Sequence, residues 1–148
     1  MRIIAGQKRG HKIEGPRATA NMRPTSDLVR ESLFNILMHA YENPIVEKDR
    51  EAVALIHANV NKLRYQDRAQ VRLADAYRWA RLHVAEMSRP LAVFLDPPYR
   101  DYETGVKRIR ATLDSLVEHL PEGSLIALEA GRVLDDSILP AFDRWYIR

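Results

Sequence analysis

Asp96-Pro97-Pro98-Tyr99 brings together an acid, two carbonyls on a stiff backbone and an aromatic ring within four residues. An exocyclic amine on a purine is a poor nucleophile, because its lone pair is delocalised into the ring. Two acceptors that hold both of its N–H groups draw the nitrogen toward a tetrahedral geometry and localise that pair. The Asp96 carboxylate can accept one N–H and the Pro97 carbonyl the other, since proline offers only an acceptor on its main chain. Tyr99 offers a flat face for a base lifted out of its stack. The work asked of such a group is positioning and charge stabilisation at a planar amine. The plainer alternative is a rigid turn in which Asp96 caps the helix that follows.

The preceding residues favour the first reading. Leu91-Ala92-Val93-Phe94-Leu95 is a short unbroken apolar run, the pattern of a buried parallel strand. Two prolines cannot continue a sheet ladder, so the strand stops there. Open α/β sheets bind their ligands at the carboxyl ends of their strands.

Other elements follow from periodicity and turn residues. Arg2 to Gly6 and His11 to Gly15, joined by residues 7–10, read as a small basic hairpin. Residues 16–24 form a loop, and Pro24-Thr25-Ser26-Asp27 signals a helix start. Val29, Leu33, Ile36, Leu37 and Ala40 then lie on one helical face. A second helix is expected over Asp49 to Leu63, with Val53, Ile56, Val60 and Leu63 inward. Gln70 to Ala74 is a strand, Asp75 to Met87 a helix with Trp79, Ala80 and Val84 inward, and Glu103 to Leu120 another helix. Ser124 to Ala130 is a strand, and Phe142 to Ile147 is a further strand candidate. The alternation predicts an α/β fold with a mostly parallel sheet.

The chain has 148 residues, enough for one domain and one core, residues 1–148, with residues 1–24 as a basic extension. No run approaches 18 apolar residues and no signal-peptide pattern opens the chain, so a cytoplasmic protein without membrane contact is expected. Cysteine is absent, which excludes disulfides, thiolate nucleophiles and cysteine-based zinc sites. His11, His39, His57, His83 and His119 have no metal-ligand spacing. Net charge is only +3, but residues 1–24 carry Arg2, Lys8, Arg9, Lys12, Arg17 and Arg23 against one acid, Glu14. A basic arm on a near-neutral body points to a polyanion partner gripped by its phosphates. A solvated basic face without a partner is the alternative.

Three segments in order resemble one family closely: residues 1–6 (Met1-Arg2-Ile3-Ile4-Ala5-Gly6), residues 23–37 (from Arg23-Pro24-Thr25-Ser26-Asp27 to Asn35-Ile36-Leu37) and Phe94-Leu95-Asp96-Pro97-Pro98-Tyr99. Together they look like the bacterial 16S rRNA (guanine-N2)-methyltransferases of the RsmD type, over almost the whole chain. The resemblance implies a Rossmann-like methyltransferase fold using S-adenosylmethionine. The substrate it implies is one guanine of 16S rRNA on an assembling small ribosomal subunit, and the enzyme is expected to be a monomer. Asp96, Pro97, Pro98 and Tyr99 match the catalytic motif. Glu47 matches the acid that binds the cofactor ribose, and Asp75, followed by Ala76, the acid beside the adenine. Thr25 lies in the long motif and is expected to line the cofactor, and Arg23 the RNA. On the residues alone, Glu47 and Asp75 are equally well read as helix caps, and Arg23 and Thr25 as orienting a helix.

The departure from the family is large. Its members carry a strand ending in Asp-x-x-x-Gly-x-Gly, whose turn cradles the methionine part of the cofactor. Here the chain passes from Met38-His39-Ala40-Tyr41 through Glu42-Asn43-Pro44 to Ile45-Val46-Glu47, and no glycine lies between Gly15 and Gly105. Only Ile45 and Val46 stand where a strand is due, fewer than an ordinary strand needs. Close backbone approach to a ligand calls for glycine. Loss of a central strand would break the core. The expectation is therefore that the natural chain holds roughly 20–30 further residues at this point, the scale of part of a βαβ unit. The family also continues beyond Trp145-Tyr146-Ile147-Arg148 into a closing hairpin. Two rivals remain: an amino-methyltransferase acting on adenine or cytosine in DNA, and a non-catalytic RNA-binding module without a cofactor site.

Overall fold

Asp49 starts the first long helix by accepting the Ala52 amide at 2.8 Å, one of the donors a helix start leaves unpaired. In the computed structural model, which describes residues 2–3, 7–15, 44–130 and 134–145, the chain divides into two units, Met1–Ala74 and Asp75–Arg148.

In the first unit, strand β1 (Pro44–Glu47) leads into helix α1 (Arg50–Leu63) and strand β2 (Gln70–Leu73). The strands pair in parallel, from Pro44 opposite Gln70 to Glu47 opposite Leu73, and a crossover helix is what a parallel pair requires. β1 is longer than the sequence suggests, because Pro44 takes the first position, where its missing N–H costs nothing, and Glu47 takes the last. Val53, Ile56, Val60 and Leu63 are half-buried as expected, while Ala52 is the helix's most buried residue.

The basic hairpin is present among the described residues. Arg2 bridges Lys12 in antiparallel fashion, Ile3 N–H donates to the His11 carbonyl at 3.0 Å, and Gly10 N–H to the Ile3 carbonyl at 2.8 Å. Gly10 turns the chain at φ +84°, a conformation that favours glycine. Asn59 of α1 holds the hairpin's exit at both ends of one residue. Its side chain accepts the Glu14 amide at 2.8 Å and donates to the Glu14 carbonyl at 2.9 Å. The loop at residues 16–24 and the helix expected after Pro24 lie outside the described residues.

The second unit is built on helix α2 (Ala76–His83), strand β3 (Ala92–Leu95), a single turn α3 (Asp101–Thr104), helix α4 (Val106–His119) and strand β4 (Leu125–Leu128). β3 and β4 pair in parallel, from Ala92 opposite Leu125 to Leu95 opposite Leu128. Ile109, Thr112, Leu113 and Leu116 form the buried stripe of α4, spaced at i, i+3, i+4 and i+7. They pack with Tyr77, Ala80, Val84, Leu95, Tyr102, Ile138 and Leu139 into one core. Thr112 satisfies its buried hydroxyl on the Arg108 carbonyl at 2.9 Å. Leu120 ends α4 in an extended conformation because Pro121 follows it.

Three expectations change here. The helix read as Glu103 to Leu120 begins earlier and breaks at Gly105, whose N–H bonds the Asp101 carbonyl at 2.9 Å. The helix read to Met87 tightens into a 3₁₀ turn over Val84–Glu86. In the strand candidate at Phe142 to Ile147, Phe142–Arg144 form a 3₁₀ turn instead, while Tyr146 and Ile147 lie outside the described residues. Ala141 stands at φ 49° before it, and Trp145 Nε1 donates to the Pro140 carbonyl at 2.7 Å, which turns the backbone away from extension.

Candidate active site

Leu95 is buried at the end of β3 and Asp96 is exposed immediately after it. Pro97 is buried, Pro98 is exposed, and Tyr99 keeps 48% of its surface in solvent. The acid and the ring of the motif therefore face outward from a turn whose first proline is anchored in the protein. The Pro98 carbonyl accepts the Asp101 amide at 2.8 Å and the Tyr99 carbonyl the Tyr102 amide at 3.1 Å, so the turn runs directly into α3. With Pro98 committed to the helix start, Pro97 is the motif carbonyl that suits an external amine. Asp96 does not cap that helix: its first residue is Asp101, and Arg100 at the cap position makes no side-chain capping bond.

β4 adds a residue that no sequence signal singled out. Glu129 N–H donates to the Leu95 carbonyl at 2.9 Å, which extends the parallel ladder and sets Glu129 beside Asp96. The Tyr102 phenol donates to the Glu129 carbonyl. Tyr102 is held in its neutral form well above the usual tyrosine range, first by burial and then by the negative charge of Asp96 and Glu129 and by Tyr99. Acids and aromatic rings thus gather at the carboxyl end of the β3–β4 pair. Tyr77 is raised likewise, by burial and then by its hydrogen bond to Asp101.

These shifts have a consequence for alkaline stability. A tyrosine that stays neutral in the fold and ionises near pH 10 when unfolded makes the unfolded chain lose protons first, so stability falls as pH rises from there. The expected alkaline titration, followed by tyrosinate absorbance, leaves two of the six tyrosines neutral until the fold is lost. Six tyrosines titrating together near pH 10 in a folded protein would contradict this burial.

The acids matched to the cofactor stand at the ends of β1 and β2. Glu47 Oε1 accepts the amides of Lys48 at 2.7 Å and Asp49 at 2.8 Å, which fixes the carboxylate over its own turn. The Ala74 amide bonds the Glu47 carbonyl at 2.9 Å, so the two strands end together. Asp75 caps α2 by accepting the Arg78 amide at 3.0 Å, and Ala76 is the first residue of that helix. A carboxylate accepts more than one hydrogen bond, so capping and ligand binding are compatible for Asp75. Acceptors at strand ends suit the ribose hydroxyls and adenine amine of a nucleoside. For the methionine end, Gly10, Gly15, Gly105 and Gly123 are the glycines among the described residues, and none follows β1 or β2. Each carboxylate, taken by itself, has acceptor chemistry that suits a nucleoside's hydroxyl or amine, and the described residues offer no glycine cradle immediately after β1 or β2.

The candidate RNA contacts Arg2, Arg9 and Lys12 are exposed on the hairpin. Lys8 is half-buried, with Nζ 5.7 Å from the centre of the Tyr65 ring. Thr25, Arg17 and Arg23 lie outside the described residues.

A family profile described as conserved hypothetical protein 95 matches the chain in two segments, residues 1–46 and 39–145. The chain belongs to this family. It is the RsmD-type methyltransferase family whose motifs the sequence carries. YlbH of Bacillus subtilis, a candidate rRNA methyltransferase, is 29% identical over 164 residues, covering 91% of this chain and 85% of that protein. Among solved structures, a hypothetical protein of Thermus thermophilus is similar, with a TM-score of 0.67, 24% identity, and 88% of this chain and 85% of the other covered. The candidate methyltransferase yhhF of Escherichia coli gives a TM-score of 0.64, 24% identity, and 91% and 85% coverage. The fold is thus Rossmann-like, as expected.

The comparison also bears on the absent glycine segment. The two matched segments overlap at residues 39–46, so the profile aligns to this chain in two pieces that meet around the point where the strand ending in Gly-x-Gly is expected. In the alignment to YlbH, 91% of 148 residues is about 135, so 164 minus 135 leaves about 29 positions, summed over the whole alignment, that this chain does not fill.

Proposed function

We propose that the chain transfers a methyl group to the exocyclic N2 of a guanine in small-subunit (16S) ribosomal RNA. The observation that carries this reading is the turn after β3, with Asp96 and Tyr99 exposed beside the anchored Pro97. The similarity to YlbH, a candidate rRNA methyltransferase, supports an RNA substrate.

S-adenosylmethionine, when bound, supplies an electrophilic methyl group. Asp96 accepts one N–H of the guanine amine and the Pro97 carbonyl the other, which aims the nitrogen lone pair outward from the ring plane. As that nitrogen gains the methyl carbon, the carbon's bond to sulfur would break and its electron pair stay on a neutral thioether; the Asp96 carboxylate would offset the positive charge developing on nitrogen and receive the surplus proton. Tyr99 stacks on the flipped base. Glu47 would accept the ribose hydroxyls, Asp75 with Ala76 would meet the adenine, and Thr25 would line the cofactor. The test is methyl transfer to 16S rRNA and to duplex DNA in parallel; label on RNA alone is expected, and label on DNA would favour the DNA amino-methyltransferase.

On this reading Arg2, Lys8, Arg9 and Lys12, with Arg17 and Arg23, grip phosphates. Replacing Arg9 and Lys12 together by alanine is expected to lower the slope of log affinity against log salt by about 1–2. Fluorescence anisotropy across a salt series measures it, and an unchanged slope would make the hairpin a solvated face.

A second reading, an RNA-binding module without a cofactor site, rests on the missing glycines between Gly15 and Gly105. It predicts salt-sensitive RNA binding that S-adenosylmethionine does not alter. On the enzyme reading the natural chain carries roughly 20–30 further residues before Ile45. Its intact mass then exceeds 17.1 kDa, whereas 17.1 kDa with no cofactor binding selects the module.

A further inference from the structure

Asp101 is a charged side chain that the proposed chemistry does not use, yet only 3% of its surface is exposed. Its Oδ2 accepts the Tyr77 phenol at 2.9 Å and lies 3.4 Å from the Arg108 guanidinium. The exposed Arg100 approaches Oδ1 at 3.7 Å. Arg108 also sits 4.9 Å from the centre of the Tyr77 ring, so phenol, carboxylate and guanidinium form one triad around the buried acid. A buried ion pair is weak support for stability, since well-packed apolar residues of the same volume often do as well. What such a group gives is a fixed position.

Two further observations locate that position. Asp101 is the residue whose amide holds the Pro98 carbonyl, so its backbone carries the end of the Asp96–Tyr99 turn. Gly105 packs against it closely enough that a Cβ there would lie 3.1 Å from the Asp101 carbonyl oxygen and 3.2 Å from its Cα. Tyr77, at the other end of the triad, is the second residue of α2, one position after Ala76 and two after Asp75.

We propose that Asp101 is a positioning residue, held between Tyr77 and Arg108, that sets the Asp96–Tyr99 turn at a fixed spacing from the helix start bearing Asp75. The candidate amine acceptors and the candidate adenine acid are thereby tied through one hydrogen bond. The activity arm of the test rests on the methyltransferase reading; the exchange arm does not.

Tyr77→Phe removes the phenol donor with little change of shape, and Asp101→Asn keeps an acceptor but removes the charge. Each is expected to lower kcat about tenfold, since small misplacement of a reacting group is costly. Tyr77→Phe combined with Asp101→Asn is expected to cost no more than the worse single change, because both act through one contact. The S-adenosylmethionine Kd should move less than about twofold, because neither change removes an acid matched to the cofactor. Unchanged kcat with a lowered Tm would reduce the triad to a structural role. Losses that multiply to about a hundredfold, or a Kd that weakens in step with kcat, would also overturn the proposal. In the exchange arm, the Asp101 and Tyr102 amides should exchange at least about tenfold faster in Tyr77→Phe, while the α4 amides keep their protection. Unchanged protection at those two amides overturns the positioning role even if the wild-type chain proves inactive, an outcome that by itself would count only against the methyltransferase reading.

Discussion

Replacing Asp96 by alanine is expected to lower kcat for methyl transfer about a hundred- to a thousandfold, the usual cost of removing one preorganised group that meets developing charge. The residue is exposed after β3 and outside the core cluster, so the variant should melt within a few degrees of the parent. Cofactor affinity should be unchanged, because the acids matched to ribose and adenine are Glu47 and Asp75. Asp96→Asn keeps one acceptor oxygen and loses the charge, and should fall between the alanine variant and the parent. Single-turnover kinetics with saturating RNA separates these effects from binding. A loss of about a hundredfold carried entirely by KM would instead make Asp96 a docking residue.

The second large effect is on stability. Leu113 is fully buried at 0% exposure, between Ile109 and Leu116 on the inward stripe of α4. Truncation to alanine costs about 2–5 kcal/mol through lost transfer energy and the cavity left behind. Against a total of about 5–15 kcal/mol for an ordinary domain, that is a large fraction of what holds it folded. Chemical denaturation should show a midpoint far below the parent, with a similar slope. Leu82, by contrast, is 58% exposed, and Leu82→Ala should change stability by less than about 0.5 kcal/mol.

The parts of this molecule that a sequence exposes are those governed by neighbours in the chain. Two prolines after Leu95 had to end β3, and they do. The helix face of Val53, Ile56, Val60 and Leu63 followed from a helical repeat, and the hairpin closing at Gly10 from local turn chemistry. The break at Gly105 was harder to see, because the apolar repeat runs on through Val106 and Ile109 while the glycine's role depends on packing against Asp101. The Phe142 segment misled because its aromatic and apolar residues suit a strand, whereas Ala141 in the left-handed region turns the backbone first.

For the candidate site the same distinction holds. Asp96 to Tyr99 is a contiguous motif and was legible. Glu129 reaches Asp96 only through strand register, 33 residues further along the chain, and nothing in its own surroundings marks it. The Tyr77–Asp101 contact joins residues 24 apart and had no local signature. The sequence around Glu47 and Asp75 suits both ligand acids and caps; in the structure Asp75 caps α2 and Glu47 binds the amides that follow it. A cap and a ligand acid use the same oxygen chemistry, so the residue type alone could not separate them.

The central claim is transfer of a methyl group to a guanine amine, and the most direct measurement uses S-adenosylmethionine labelled in its methyl group. The protein is incubated with 16S rRNA, free and in small-subunit particles, and the RNA is then digested to nucleosides and resolved. The account predicts label in N2-methylguanosine, lost in Asp96→Ala. RNA that binds the protein but gains no labelled nucleoside, at a cofactor concentration well above any measured Kd, would contradict it.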